Sequence, residues 1–357
     1  MDGRVGPAGL ATRDAVRRAL ADLADAAGST GRTGPTSEAG PAAPVLVACS
    51  GGPDSLALAS ATAFVAQQLG VRAGAVVVDH QLQAGSAEVA AGAARTATEL
   101  GLDPVEVLTV RVTATAGDGP EAAARAARYG ALDAAAARRG AMAVLLGHTS
   151  DDQAESVLLG LLRGSGARSL SGMPARRGIY RRPFLRLSRE TTAKACAELG
   201  LAPWADPHNV DPAYARARAR RLVSDVAEQL GSGVRTGLAR SAELLRADDE
   251  ALETWAAREY DALLLPGDAP GLDCAALAGL PAAVRLRVLR RAALAAGARP
   301  PDLSSTHLAA LDALVTAWHG QGPVDLPGPL HGVRDCGRLL IAPDINRDTA
   351  APDIAEE

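Results

Sequence analysis

Residues 45–55 read Val-Leu-Val-Ala-Cys-Ser-Gly-Gly-Pro-Asp-Ser, and a long alanine- and leucine-rich helical pattern continues from residue 56 to about 69. An apolar β-type run that passes through a glycine turn into a helix leaves the first helical N–H groups without intrahelical acceptors. The helix dipole then favours an anion at that end. Gly51 and Gly52 carry no Cβ, so their backbone can approach phosphate oxygens closely. Ser50 and Ser55 add hydroxyl donors. Asp54 breaks this pattern, because a carboxylate next to a phosphate repels it unless a cation lies between them, which makes Asp54 a candidate Mg²⁺ contact. Neither GxxxxGK[ST] nor GxGxxG is present.

Beyond this loop the chain alternates apolar strand-type runs with helical patterns. Strands are expected at 73–78, ending at Asp79-His80, at 104–112, and at 141–146, ending at Gly147-His148. Helices are expected at 86–100, 121–139 and 150–162. This order predicts an α/β fold, a doubly wound parallel sheet with its ligand site outside the carboxyl ends of the strands. A short helix over 13–27, capped by Thr12, and a Gly/Ser/Thr/Pro-rich linker over 28–44 precede it.

Residues 163–189 hold many arginines and no acid, and are expected to be loop-like; four more arginines stand at 216, 218, 220 and 221. From about residue 230 a smaller helical domain is expected, with a β-hairpin or three-strand appendage near 323–342 and a loose acidic tail over 346–357. The expected domains are thus 1–44, 45–229, 230–345 and the tail.

The chain is 357 residues long with 48% apolar residues, 3% aromatics and a formal net charge of -4, so its core is mainly Ala, Leu and Val and it is not basic overall. Lys194 is the only lysine. Cys49, Cys196, Cys274 and Cys336 form no CxxC pair, which points away from a zinc ribbon or iron–sulfur site and toward a reduced, cytoplasmic protein. No apolar run of membrane-spanning length and no signal-peptide pattern is present.

Three further constellations carry chemistry. Gly147-His148-Thr149-Ser150-Asp151-Asp152-Gln153-Ala154-Glu155 opens a helix, and Asp152 and Glu155 share a face three residues apart. With His148 they can hold a cationic amine close to the phosphate loop, whereas Asp151 alone reads as a helix cap. Arg125 and Arg128 share a face of the preceding helix. Asp206-Pro207-His208-Asn209-Val210-Asp211 reads as a turn before a basic helix.

SGGPDS at 50–55 resembles the pyrophosphate loop of the N-type ATP pyrophosphatases. Together with VDH at 78–80, PEAAARAARY at 120–129, GHTSDDQAESVLLGLLRGSG at 147–166 and DPHNVD at 206–211, in this order, the chain resembles the tRNA(Ile)-lysidine synthetase family over residues 45–225. The resemblance implies a two-step reaction: ATP adenylates the C2 oxygen of the wobble cytidine of a CAU-anticodon isoleucine tRNA, then the side-chain amine of free lysine displaces AMP. It implies that Ser50, Gly51, Gly52, Pro53, Asp54 and Ser55 hold the phosphates with Mg²⁺. His148, Asp152 and Glu155 would hold lysine, with Arg128 assisting. Arg163, Arg168, Arg216 and Arg220 would face tRNA phosphates. The resemblance also admits a homodimer. Gln83 stands where the family usually has arginine, and longer members carry a further RNA-gripping domain, so tRNA recognition is expected to rest on the helical domain. The rivals are another modifying enzyme with this loop, such as a thiolase, and a non-catalytic nucleotide- or RNA-binding protein.

Overall fold

The computed structural model describes residues 5–29, 43–83, 85–112, 120–164, 166–209, 211–265 and 271–343, in two compact units, Met1–Arg246 and Ala247–Glu357. Most of the expected linker and the whole expected tail lie outside the described residues. The first unit runs α1 (Pro7–Ser29), β1 (Val45–Ala48), α2 (Pro53–Leu69), β2 (Ala73–Asp79), α3 (Ser86–Glu99), β3 (Val105–Thr109), α4 (Pro120–Arg139), β4 (Ala143–Leu145) and α5 (Ser150–Leu162). It continues with α6 (Ala167–Leu170), β5 (Arg176–Arg177), β6 (Tyr180–Arg181), α7 (Arg189–Glu198) and α8 (Ala215–Leu230), and includes the start of α9 (Gly233–Leu263).

Six strands form one sheet in the order β3-β2-β1-β4-β6-β5, parallel except for β5. The order reverses between β1 and β4, so the crevice of this doubly wound sheet opens where their carboxyl ends meet. β1 is buried along its length. Its side chains alternate: Val45 and Val47 face a core that includes α2 and Phe184, while Leu46 and Ala48 face a second core around Leu132 of α4. Ala57, Ala59 and Ala61 of α2 are buried, and such small side chains let helix and sheet pack closely with few aromatics.

Three expectations about this unit need correction. Thr12 does not cap α1: the helix starts at Pro7, and the Thr12 hydroxyl donates to the Gly9 carbonyl inside it at 2.8 Å. The amides of Ala8 and Gly9 instead donate to the Glu198 carboxylate, which ties α1 to α7 within the first unit. The arginine-rich stretch is not a plain loop, since its β6 pairs with β4 as a further parallel strand. The boundary between units falls inside α9, not near residue 230. Gly231 does end α8, but the start of α9 is bound to the first unit by Arg235 against Asp151 at 3.4 Å and by Arg246 donating to the Met173 carbonyl at 2.8 Å.

The second unit continues α9 into β7 (Leu264–Leu265), β8 (Gly271–Asp273), α10 (Cys274–Gly279), α11 (Ala282–Ala295), α12 (Ser305–Thr316), β9 (Val324–Leu326), β10 (Leu330–Asp335) and β11 (Arg338–Pro343). The expected three-strand appendage is a five-stranded antiparallel sheet, β7-β8-β11-β10-β9, because β7 and β8 join it from before α10. Leu277, Val288, Leu289, Leu311 and Leu314 form its core with Leu339. Among the described residues no helix is long and apolar enough to cross a membrane.

Phe184 is fully buried against the β1 side of the first core. Phe184→Ala is expected to lower stability by about 3–5 kcal/mol, read as a lower denaturant midpoint with an unchanged slope.

Candidate active site

The loop after β1 is built so that its own polar groups are partly spent on holding its shape. The Ser55 hydroxyl donates to the Gly52 carbonyl at 2.9 Å and accepts from the Ser50 amide at 3.1 Å. Ser50 N–H is therefore engaged inside the loop. The groups free to meet an anion are those of Gly52 and the first turn of α2, whose amides have no intrahelical acceptor. Gly51 has φ +82°, a left-handed conformation that favours glycine, and its carbonyl accepts from the Trp204 amide at 2.9 Å. This bond fastens the loop after α7 onto the phosphate loop.

Gly147, at the end of β4, runs directly against the start of α2. A Cβ there would lie 3.0 Å from the Asp54 carbonyl oxygen and 3.3 Å from the Ser55 nitrogen. Absence of a side chain brings His148, Asp152 and Glu155 into the same cleft as residues 50–55. That cleft has a volume of about 420 Å³ and is also lined by His80, Arg128, Arg189, Tyr214, Arg216 and Arg220. A larger cleft of about 730 Å³, lined by Arg13, Phe64, Arg72 and Asp103, includes none of these chemical groups.

Asp152 opens α5 in a capping box with Thr149. Its Oδ2 accepts from the Thr149 amide at 2.7 Å and from the Thr149 hydroxyl at 3.0 Å. The capping role expected of Asp151 thus belongs to Asp152, while Asp151 accepts from the Arg189 amide at 2.8 Å. The second oxygen of Asp152 pairs with Arg189 at 2.9 Å. Glu155, almost fully buried, pairs with Arg189 at 3.1 Å and with Arg220 at 3.0 Å. The Arg189 guanidinium also faces Asp54 at 3.7 Å.

These environments set the charges. Burial raises the Asp54 carboxyl to about 6, against a hydrogen bond from the Thr192 hydroxyl and the pull of Arg189. Burial also pushes Asp152 up, but Arg189 and the Thr149 donors outweigh it and hold the group below its ordinary value. Burial takes His148 down to about 3 despite Asp152, so the imidazole is neutral, and its Nδ1 has no partner. Arg128 is lowered by burial and by the like charges of Arg125 and Arg216, the condition of a guanidinium cluster short of an anion.

The structure brings Ser50, Gly52, Pro53, Asp54, Ser55, Arg128, His148, Asp152 and Glu155 together around one cleft, with Gly51 shaping the loop beneath it. Arg216 and Arg220 line that cleft too, Arg216 paired with Glu121 at 3.4 Å and Arg220 with Glu155. Arg163 and Arg168 lie outside its lining, at the exposed end of α5 and in α6. Gln83 donates to Asp206 at 3.3 Å and lies 3.5 Å from Nδ1 of His208, joining the turn after β2 to the loop that carries His208 and Tyr214. Sequence reasoning counted Arg189 only within a basic run and did not find Thr192, Trp204 or Tyr214 as lining or support. Cys49 and Cys196 flank the phosphate loop, but burial raises both thiols, Cys196 to about 11, which makes them poor nucleophiles near neutral pH.

Residues 33–227 match a family model described as a PP-loop domain, and residues 272–339 match one described as a TilS substrate binding domain. The chain is 54% identical to the tRNA(Ile)-lysidine synthase of Thermobifida fusca (strain YX), over 96% of this chain and 100% of that one. It is 58% identical to the protein of that name from Streptomyces coelicolor, over 83% and 84% of the two chains. A third of that name, from Salinispora arenicola, is 52% identical over 94% and 97%. Among solved structures, the U34-tRNA thiolase NcsA from Methanococcus maripaludis aligns with a TM-score of 0.50 at 17% identity, over 66% of this chain and 78% of that chain, a likeness of fold.

The geometry makes two outcomes measurable. In Gly147→Ala the added methyl has backbone rather than flexible side chain to displace, so ATP affinity and melting temperature are both expected to fall; titration with a fluorescent ATP analogue and a thermal melt measure them. Asp54 has a folded-state pKa above its unfolded value, so the folded protein binds that proton more tightly. Its ionisation therefore removes stability as pH rises from about 4 to 6, and the full penalty stands above 6. In chelated, nucleotide-free buffer, Asp54→Asn is expected to be more stable than the parent at pH 8 by up to ~3 kcal/mol, the gap closing below about pH 4. Urea unfolding across that range checks it.

Proposed function

The chain belongs to the tRNA(Ile)-lysidine synthase family, and we propose on that basis how its own cleft carries out the reaction. The protein is an ATP-using ligase that joins lysine to C2 of the wobble cytidine of a CAU-anticodon tRNA(Ile), through an adenylated cytidine, releasing pyrophosphate and AMP. The observation that carries this reading is the single cleft in which the first turn of α2 meets the buried acids of α5.

In the first step the C2 oxygen attacks the α-phosphate and negative charge accumulates on the departing pyrophosphate. The amides of Gly52 and of the first α2 turn are fixed in place before the reaction, which is the arrangement that stabilises such charge most effectively. Arg128 supplies positive charge across the cleft and is itself relieved by an anion. Mg²⁺ suits Asp54, since one carboxylate together with substrate phosphates is the donor set this ion takes. Among the described residues no group of three or more His, Cys, Asp or Glu is placed to enclose a metal alone. When bound, the ion supplies charge neutralisation of the phosphates.

In the second step the lysine amine attacks C2 and AMP departs. Asp152 and Glu155 provide negative charge for the ammonium group, and His148, held neutral, adds no repulsion to it. The attacking amine must shed a proton, and the carboxylates of Asp152 and Glu155 are the groups placed to accept it, since burial makes the His148 imidazole a weak base. The target base has to leave its stack to enter the cleft. Exposed Arg163 and Arg168 suit contact with tRNA phosphates, and Arg216 suits those nearest the cleft. We place the reaction in the cytoplasm, with free lysine as co-substrate.

Incubation with ATP, Mg²⁺, radiolabelled lysine and a CAU-anticodon tRNA(Ile) transcript is expected to put label into the tRNA only when all are present. Unlabelled tRNA under these conditions overturns the reading. Asp152→Asn should lower lysine incorporation by roughly 10- to 100-fold, the loss of one charged hydrogen-bond partner, while tRNA-dependent ATP–pyrophosphate exchange stays near the parent level.

A further inference from the structure

Resting on that reading, the charge balance of the cleft assigns Arg189 a role beyond structure. Its guanidinium is within 2.9 Å of Asp152, 3.1 Å of Glu155 and 3.7 Å of Asp54. It is the group that touches both the amine-holding acids and the acid of the phosphate loop. Glu155 has Arg220 as a second partner, and Asp151, beside this group, faces Arg235. Asp152 has Oδ2 engaged by Thr149 and Oδ1 by Arg189, while Glu155 carries both guanidiniums on Oε1. An ammonium that reaches Oδ1 of Asp152 would have to share it with a guanidinium about 3 Å away, and like charges at that distance repel strongly in a half-buried site.

We propose that Arg189 is a positioning residue that couples the two half-sites: without nucleotide it fills the seat of the substrate ammonium, and with nucleotide it turns toward the phosphates. Its reach makes the turn short, since its Nε already faces Asp54, one residue from Ser55 and two from Gly52. The backbone is fixed while the head moves. The Arg189 amide is held by Asp151, and α7 begins at this residue, after Ser188, whose hydroxyl accepts from the Thr191 amide. A phosphate is a stronger partner for guanidinium than a carboxylate that is already shared, because it offers a bidentate, doubly charged face. Once the guanidinium turns, Oδ1 of Asp152 is released to the amine, while Oε1 of Glu155 keeps Arg220 as its partner. The lysine seat is then open only when an ATP is present to be consumed.

Coupling of this kind is reciprocal: nucleotide must raise lysine affinity by the factor by which lysine raises nucleotide affinity. Isothermal titration of L-lysine into the full chain, with and without saturating Mg²⁺ and a non-hydrolysable ATP analogue, reads it directly. The parent protein is expected to bind lysine at least about tenfold more tightly with the analogue. In Arg189→Met the two affinities should converge, with lysine binding to the nucleotide-free variant tighter than to the nucleotide-free parent. Arg189→Lys, which keeps the charge but loses the fork, should retain only part of the coupling. Equal lysine affinities for the parent in the two conditions overturn the proposal. So does undetectable lysine binding with the analogue present, or full parental coupling in Arg189→Met. Failure of the labelling assay above would sink the reaction itself, whereas normal lysidine synthesis with no such coupling would sink only the role of Arg189.

Discussion

The end of β4 meets the start of α2 in this protein with no side chain between them. Gly147 lets the end of β4 lie against the carbonyl of Asp54, and the meeting of the α2 and α5 starts in one cleft depends on that approach. The doubly wound order places β1 and β4 side by side at the reversal point, and the glycine removes the last obstacle between the start of α2 and the turn that leads into α5. An anion site at the start of α2 and an acidic site at the start of α5 thereby become walls of one cleft. Both sites begin as ordinary helix N-termini. One is left open for phosphate, and the other is closed by Thr149 and Asp152 as a capping box.

Electrostatics then divides the labour among groups of the same chemical kind. Asp54 is under-compensated and titrates near 6, Asp152 is over-compensated and stays ionised, and Glu155 is locked between two arginines. A carboxyl that resists ionisation in the empty protein gains most from a cation brought by the substrate. The resulting cleft is costly to fold and suited to bind, a usual relation between stability and function.

The α/β alternation, the phosphate loop and the acidic helix start were legible because each depends on neighbours close in sequence: a strand run, a glycine turn, acids three residues apart. The features that could not be read depend on distance or brevity. Arg189 lies 37 residues from Asp152 and 34 from Glu155, and nothing near it in sequence distinguishes it from the other arginines of its run. β5 to β8 are two or three residues long, too short for periodicity to show. Gly231 marked a true helix end, yet the domain boundary lay further on, since Arg235 and Arg246 carry the next helix into the first unit. Gln83 stands out in the sequence only as a departure from the family's usual arginine, whereas in the fold it holds the loop of Asp206 and His208.

The rest turns on the loop after β1 gripping pyrophosphate while a base oxygen bonds to the α-phosphorus and then leaves as a phosphoryl oxygen of AMP. Oxygen-18 placed at C2 of the wobble cytidine tests this most directly, with mass spectrometry of the AMP released during lysine-dependent turnover. Transfer of the label into AMP is the predicted result. AMP that leaves unlabelled would contradict activation at that oxygen, and with it the role given to the cleft.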